Sequence, residues 1–111
     1  MNNKFELSDE QLEQFVGGAS EGDIGSKWFT IGNCISTLER ILTPAGGFDA
    51  KLASLRQNYN ARSAYPVAMD AMEIRIEVRR SPNEAVQGTY GTCCNIEGCA
   101  KTIIALENKQ H

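Results

Sequence analysis

The apolar positions of this chain change period along its length, and each change predicts an element. In residues 27–42, KWFTIGNCISTLERIL, the apolar side chains Trp28, Ile31, Ile35, Leu38 and Leu42 recur at spacings of three and four, with Cys34 and Ile41 alongside. That spacing gathers them on one face of a helix. Gly32 interrupts the run at a cost of about 1 kcal/mol relative to Ala. The helix is expected to end before Thr43-Pro44, which Gly46-Gly47 follow. Its stripe reads as a core face. A membrane-surface helix carries Lys and Arg on its polar side, and here Glu39 offsets Lys27 and Arg40.

A second helical pattern starts at Phe48 and places Phe48, Leu52, Leu55 and Tyr59 on one face, with Asn58, Asn60 and Ser63 weakening its end. Tyr65-Pro66 punctuates the chain. Residues 67–72 then allow a helical turn or two. Residues 73–79, EIRIEVR, alternate strictly between charged and β-branched side chains. A period of two is the mark of a half-buried strand. Ser81-Pro82-Asn83 reads as a turn, residues 87–92 as a loop or short strand between glycines, and residues 101–106, KTIIAL, as a final short strand or helix. The expected fold class is therefore α+β: a helix-rich small single domain at 27–111 with two or three short strands. The small polar residues 19–26, ASEGDIGS, are expected to be a flexible joint.

The segment ahead of that joint, MNNKFELSDEQLEQFVGG, follows a different logic. Ser8 and Gln11 have the spacing of a capping box, and Leu7 and Leu12 that of a hydrophobic staple. Asp9 and Glu10 fall in the first turn, where they complement the helix dipole. Leu12, Phe15 and Val16 share a face, and Gly17-Gly18 close the helix. So short a helix is marginal alone in water and suits docking into an apolar groove. Charge separates the segment from the rest. Residues 1–18 set Lys4 against Glu6, Asp9, Glu10 and Glu13, which accounts for the whole net charge of -3. The body is neutral and offers no electrostatic case for nucleic acid.

In these residues the segment resembles the double-glycine leader of bacterial peptides exported by peptidase-containing ABC transporters. In that family, apolar side chains four, seven and twelve places before the cut dock into the peptidase. Counting back from Gly18, those places hold Phe15, Leu12 and Leu7. The resemblance implies a leader at 1–18, cleavage after Gly17-Gly18 by a cysteine protease domain, and a product that begins at Ala19. It also implies export without a general secretory signal, of which the sequence shows no basic and apolar regions. It covers 18 of 111 residues and leaves the body unrecognised.

Export would reconcile that missing signal with the cysteines. Cys34 stands alone, whereas Cys93, Cys94 and Cys99 cluster in TYGTCCNIEGCAKT. An even number in a small chain suits disulfides, given an oxidising compartment. Three pairings are open, of which adjacent Cys93–Cys94 is least favoured by geometry. The flanking Thr89, Thr92 and Thr102 allow another reading: a thioether core at 89–102, made by a modification enzyme of the lanthionine type. Such cores usually follow the leader directly, however, and this one lies more than 70 residues beyond it. Zinc ligation fits poorly, because structural sites favour Cys pairs two to four residues apart. The sole histidine is His111, so no positioned Cys–His pair is expected. No catalytic residue, metal or cofactor is assigned, and Glu39, Asp70 and Glu97 read as solvated surface.

The expected function is thus a non-enzymatic, secreted precursor of bacteriocin-like or signalling type. Its expected partners are the peptidase-containing ABC transporter for the leader, a modification enzyme for the thioether reading, and a membrane or receptor target. The alternatives are the thioether-core precursor and a binding or structural domain whose N-terminal helix belongs to its fold.

Overall fold

The computed structural model describes residues 21–109. Over that span the chain forms five helices: α1 (Glu21–Ala45), α2 (Asp49–Asn60), α3 (Ala64–Arg80), the single turn α4 (Glu84–Gln87) and α5 (Tyr90–Lys109). Short connections fold α1, α2, α3 and α5 into an antiparallel four-helix bundle. α1 packs on α2, α2 on α3, α3 on α5 and α5 back on α1, so α1 and α3 face each other across the bundle axis.

Among the described residues there is no strand, which corrects the α+β expectation. The decisive segment is 73–79. Ile74 and Val78 are buried, but they continue a helical series with Val67 and Ala71, at spacings of four, three and four. Ile76, which a strand would bury beside them, is 42% exposed. A helical stripe running back to Ala64 outweighs a two-residue alternation that reaches no partner strand.

The C-terminal segments are corrected for a related reason. The loop or short strand expected at 87–92 rests on Gly and Thr, poor helix formers, yet the helix already starts at Tyr90. From there the buried set is helical: Cys93, Ile96 and Ala100 lead into Ile103, and the short strand or helix expected at 101–106 is part of the same helix. Tertiary burial imposes the helix. An added Cβ at Gly91 or Gly98 would meet nothing within 4 Å. Gly98→Ala is therefore expected to stabilise the domain by about 0.5–1 kcal/mol. Urea denaturation measures this, and a loss of stability would show that the surface around Gly98 is occupied.

The helix ends also differ from expectation. α1 begins at Glu21, so residues 21–26 of the expected joint are helical. It also runs through Pro44 to Ala45. The ring there forfeits only the bond to the Arg40 carbonyl. Gly46 and Gly47, both at positive φ, then turn the chain. Pro66 lies in the first turn of α3, where a backbone N–H has no intrahelical acceptor. It starts that helix rather than breaking it. At Asn83 the expected turn becomes a helix cap: its side-chain oxygen accepts from the N–H groups of Ala85 and Val86.

The core stripe of α1 matches its sequence pattern: Trp28, Ile31, Ile35, Leu38 and Leu42 are all buried, joined by Leu52 and Leu55 of α2. Gly32 has a packing reason. A Cβ there would lie 2.5 Å from the Tyr59 hydroxyl. The Tyr59 ring meets Trp28 edge-on, with centroids 5.9 Å apart, and carries the Arg62 guanidinium 4.3 Å from its centroid. Arg62 itself takes the left-handed conformation, φ 55°, that closes α2. The Ser63 N–H bonds the Asn58 carbonyl and the Arg62 N–H bonds the Tyr59 carbonyl, a Schellman pattern. An arginine at this position bears a steric cost that glycine avoids; stacking on Tyr59 and Trp28 offsets it.

Candidate functional site

Leu7, Leu12, Phe15, Gly17 and Gly18, the leader and cleavage positions, lie outside the described residues. The chemistry that the structure does place begins with the cysteines. α1 carries Cys34 and α5 carries Cys93, Cys94 and Cys99, all as free thiols. Because α1 and α5 are packed neighbours, the distant Cys34 joins the C-terminal cluster. Cys34 and Cys99 are half-buried against the core, Cys93 is fully buried and Cys94 is exposed.

Burial dominates their acidity, because a thiolate loses hydration inside the bundle. It raises Cys34, with the charge of Cys99 adding to the effect. It drives Cys93 up to about 12, with smaller upward contributions from Cys94 and Cys34 and a downward one from Arg75. Cys99 is raised as well, but Lys27 pulls it partly back. The same lysine lines a pocket of about 200 Å³ with Cys94, Asn95, Gly98, Cys99 and Thr102. Cys93 is thus an inert core side chain, while Cys99 has both a cation and an opening to solvent.

The threonines of the candidate thioether core are held in the fold. Thr89 and Thr102 are buried, and their hydroxyls donate to the carbonyls of Val86 and Gly98. Thr92 is half-buried. An enzyme dehydrating Thr89 or Thr102 would have to act on an unfolded chain. Among the described residues, no group of three His, Cys, Asp or Glu side chains is placed to hold a metal ion.

The three acidic residues read as solvated surface prove to be tied into the bundle. Glu97 is 6% exposed. Its carboxylate accepts from Arg75 Nε at 3.0 Å and pairs with Lys101 Nζ at 3.0 Å. Arg75 and Arg79 both donate to the Tyr90 hydroxyl and lie over its ring. Glu39 takes a forked pair from Arg56, at 3.0 and 2.7 Å, and that hydrogen bonding holds its carboxyl below the ordinary range against an opposing effect of burial. Asp70 accepts from Ser54 and Asn58, each at 2.8 Å, and so ties α3 to α2. The only sequence signal for Glu97 is Lys101 four residues on, a common surface pairing; Arg75 comes from another helix and has no local signature.

Each of these polar groups ends on a structural partner, and none forms a nucleophile with a positioned base. The wider groove between α1 and α2, about 490 Å³, is lined by Glu39, Thr43, Leu52 and Arg56 among others and is occupied at its wall by the Glu39–Arg56 pair. Among the described residues no helix is long and apolar enough to cross a membrane. In comparisons with known proteins, the chain matches no family model, no curated protein and no solved structure.

Proposed function

We propose that this chain is an export precursor. Residues 1–18 act as a double-glycine leader for a peptidase-containing ABC transporter, and the cargo from Ala19 onward is a small helical domain of bacteriocin-like or signalling type. The observation that carries the reading is the register of Leu7, Leu12 and Phe15 ahead of Gly17-Gly18. Its acidic helix-capping pattern suits transient docking in a peptidase groove.

One feature of the body bears on the form of the cargo. The hydrogen-bonded threonines favour a cargo that leaves as a folded or refolding protein with thiols, over one carrying thioether rings.

The test is cleavage of the full chain by a purified peptidase domain of such a transporter, read by intact mass. The expected product starts at Ala19, and Gly18→Val should block its formation because the protease cleft admits only glycine. A chain left whole, or one cut equally well after Leu12→Asp and Phe15→Asp, would sink the proposal and leave the N-terminal segment as part of a binding or structural domain.

A further inference from the structure

We infer that Cys34 and Cys99 form a redox pair that staples α1 to α5 through a disulfide. The inference depends on the export reading only for where the oxidant is met. The seam between α1 and α5 selects these two thiols. Lys27 of α1 lines a pocket with Cys94, Cys99 and Thr102 of α5, so Lys27 and Cys99 both face that seam. Cys34 lies seven residues after Lys27, two turns on along the same face of α1, and the charge of Cys99 is felt at Cys34.

Both thiols pack against the same core cluster. A disulfide needs Cα atoms about 4.4–6.8 Å apart, a distance that only helices packed directly on each other, as α1 and α5 are, can offer. Exposure points the same way. The pocket lined by Lys27 and Cys99 gives a small oxidant access to the Cys99 sulfur, and the lysine charge stabilises its thiolate. Cys93 has no exposed surface. Cys94 is exposed but sits beside Cys93 on the same helix, where a direct bond is strained.

The chemistry is thiol–disulfide exchange with a low-molecular-weight disulfide such as oxidised glutathione. Cys99 releases its proton to solvent, and its thiolate attacks one glutathione sulfur, expelling the other as a thiolate. Cys34 then loses its proton and attacks the Cys99 sulfur of the mixed disulfide, which expels the second glutathione. Two S–H bonds are broken and one protein S–S bond is formed. The two electrons pass to oxidised glutathione, leaving two reduced molecules.

The experiment incubates the purified full chain with oxidised glutathione, alkylates the remaining thiols in denaturant, and digests with trypsin and a glutamate-specific protease. Those cuts separate WFTIGNCISTLE, AVQGTYGTCCNIE and GCAK. The expected species is WFTIGNCISTLE joined to GCAK, about 2 Da below the sum of the two reduced peptides, with Cys93 and Cys94 alkylated. Cys94→Ser should leave that species intact, and Cys34→Ser should abolish it. WFTIGNCISTLE joined to AVQGTYGTCCNIE instead, or a chain whose Cys34 stays alkylated at equilibrium, would overturn the inference. The reaction does not involve the leader, so its failure is separable from failure of cleavage after Gly18.

Discussion

Ile74→Ala should destabilise the domain by about 2–5 kcal/mol, while Ile76→Ala should change its stability by no more than about 0.5 kcal/mol. The two residues share a side chain and lie two positions apart in EIRIEV. In a strand they would point to the same face and cost much the same. In α3 they are about 200° apart around the axis. Ile74 is fully buried, whereas Ile76 is 42% exposed. Truncating Ile74 removes three carbons from a packed interior and leaves a cavity between α3 and its neighbours. Truncating Ile76 removes surface that water already reaches. Urea denaturation of both variants, with the slope checked for two-state behaviour, measures the difference. Equal losses at the two positions would contradict the helical assignment of 73–79.

Glu97→Ala carries the second large effect, a loss of about 2–4 kcal/mol. The carboxylate lies nearly out of water between Arg75 and Lys101, each 3.0 Å away. Without it the two cations face each other with no anion between them. Both keep partial contact with solvent, their side chains being 23% and 27% exposed, which holds the loss below that of a wholly buried pair. Replacing partners together should cost less than removing one. The double variant Arg75→Met, Glu97→Leu is therefore expected to recover a large part of the loss. Glu107→Ala, on the exposed end of the same helix, is the control and should fall within about 0.5 kcal/mol. If Glu97→Ala behaved like the control, the pairing would be a surface contact of little consequence.

The helical stripes of α1 and α2 were legible because their core positions repeat at three or four: Trp28, Ile31, Ile35, Leu38 and Leu42 are buried, as are Leu52 and Leu55, with Phe48 and Tyr59 half-buried beside them. The second half was misread where local signals and tertiary demand diverge. Glu73 to Arg79 alternates charge and β-branched residues, yet what matters is that Ile74 and Val78 extend the stripe of Val67 and Ala71. The loop or short strand expected at 87–92 rests on its Gly and Thr side chains, yet a helix starts at Tyr90, and its Cys93, Ile96 and Ala100 fall on one face that α1 and α3 cover. Pro66 looked like a break because a proline stops a helix interior; it is harmless in a first turn, and only the position of Ala64 tells which applies.

The candidate chemistry divides along the same line. The pattern behind the proposed leader is local, a spacing of apolar residues before two glycines, and the sequence by itself shows that spacing along with the charge division between segment and body. The company of Cys34 is not local. Sixty-odd residues separate it from the other thiols, and no spacing rule could rank Cys93, Cys94 and Cys99 as its partners. Only the packing of α1 on α5 brought them together, and only burial distinguished the inert Cys93 from the open Cys94 and the lysine-flanked Cys99. The same holds for Glu97, whose composition says surface and whose cross-helix arginine says interior. Periodicity and capping act through neighbours along the chain; thiol pairing and buried charge depend on which faces meet, and that is settled by the tertiary fold.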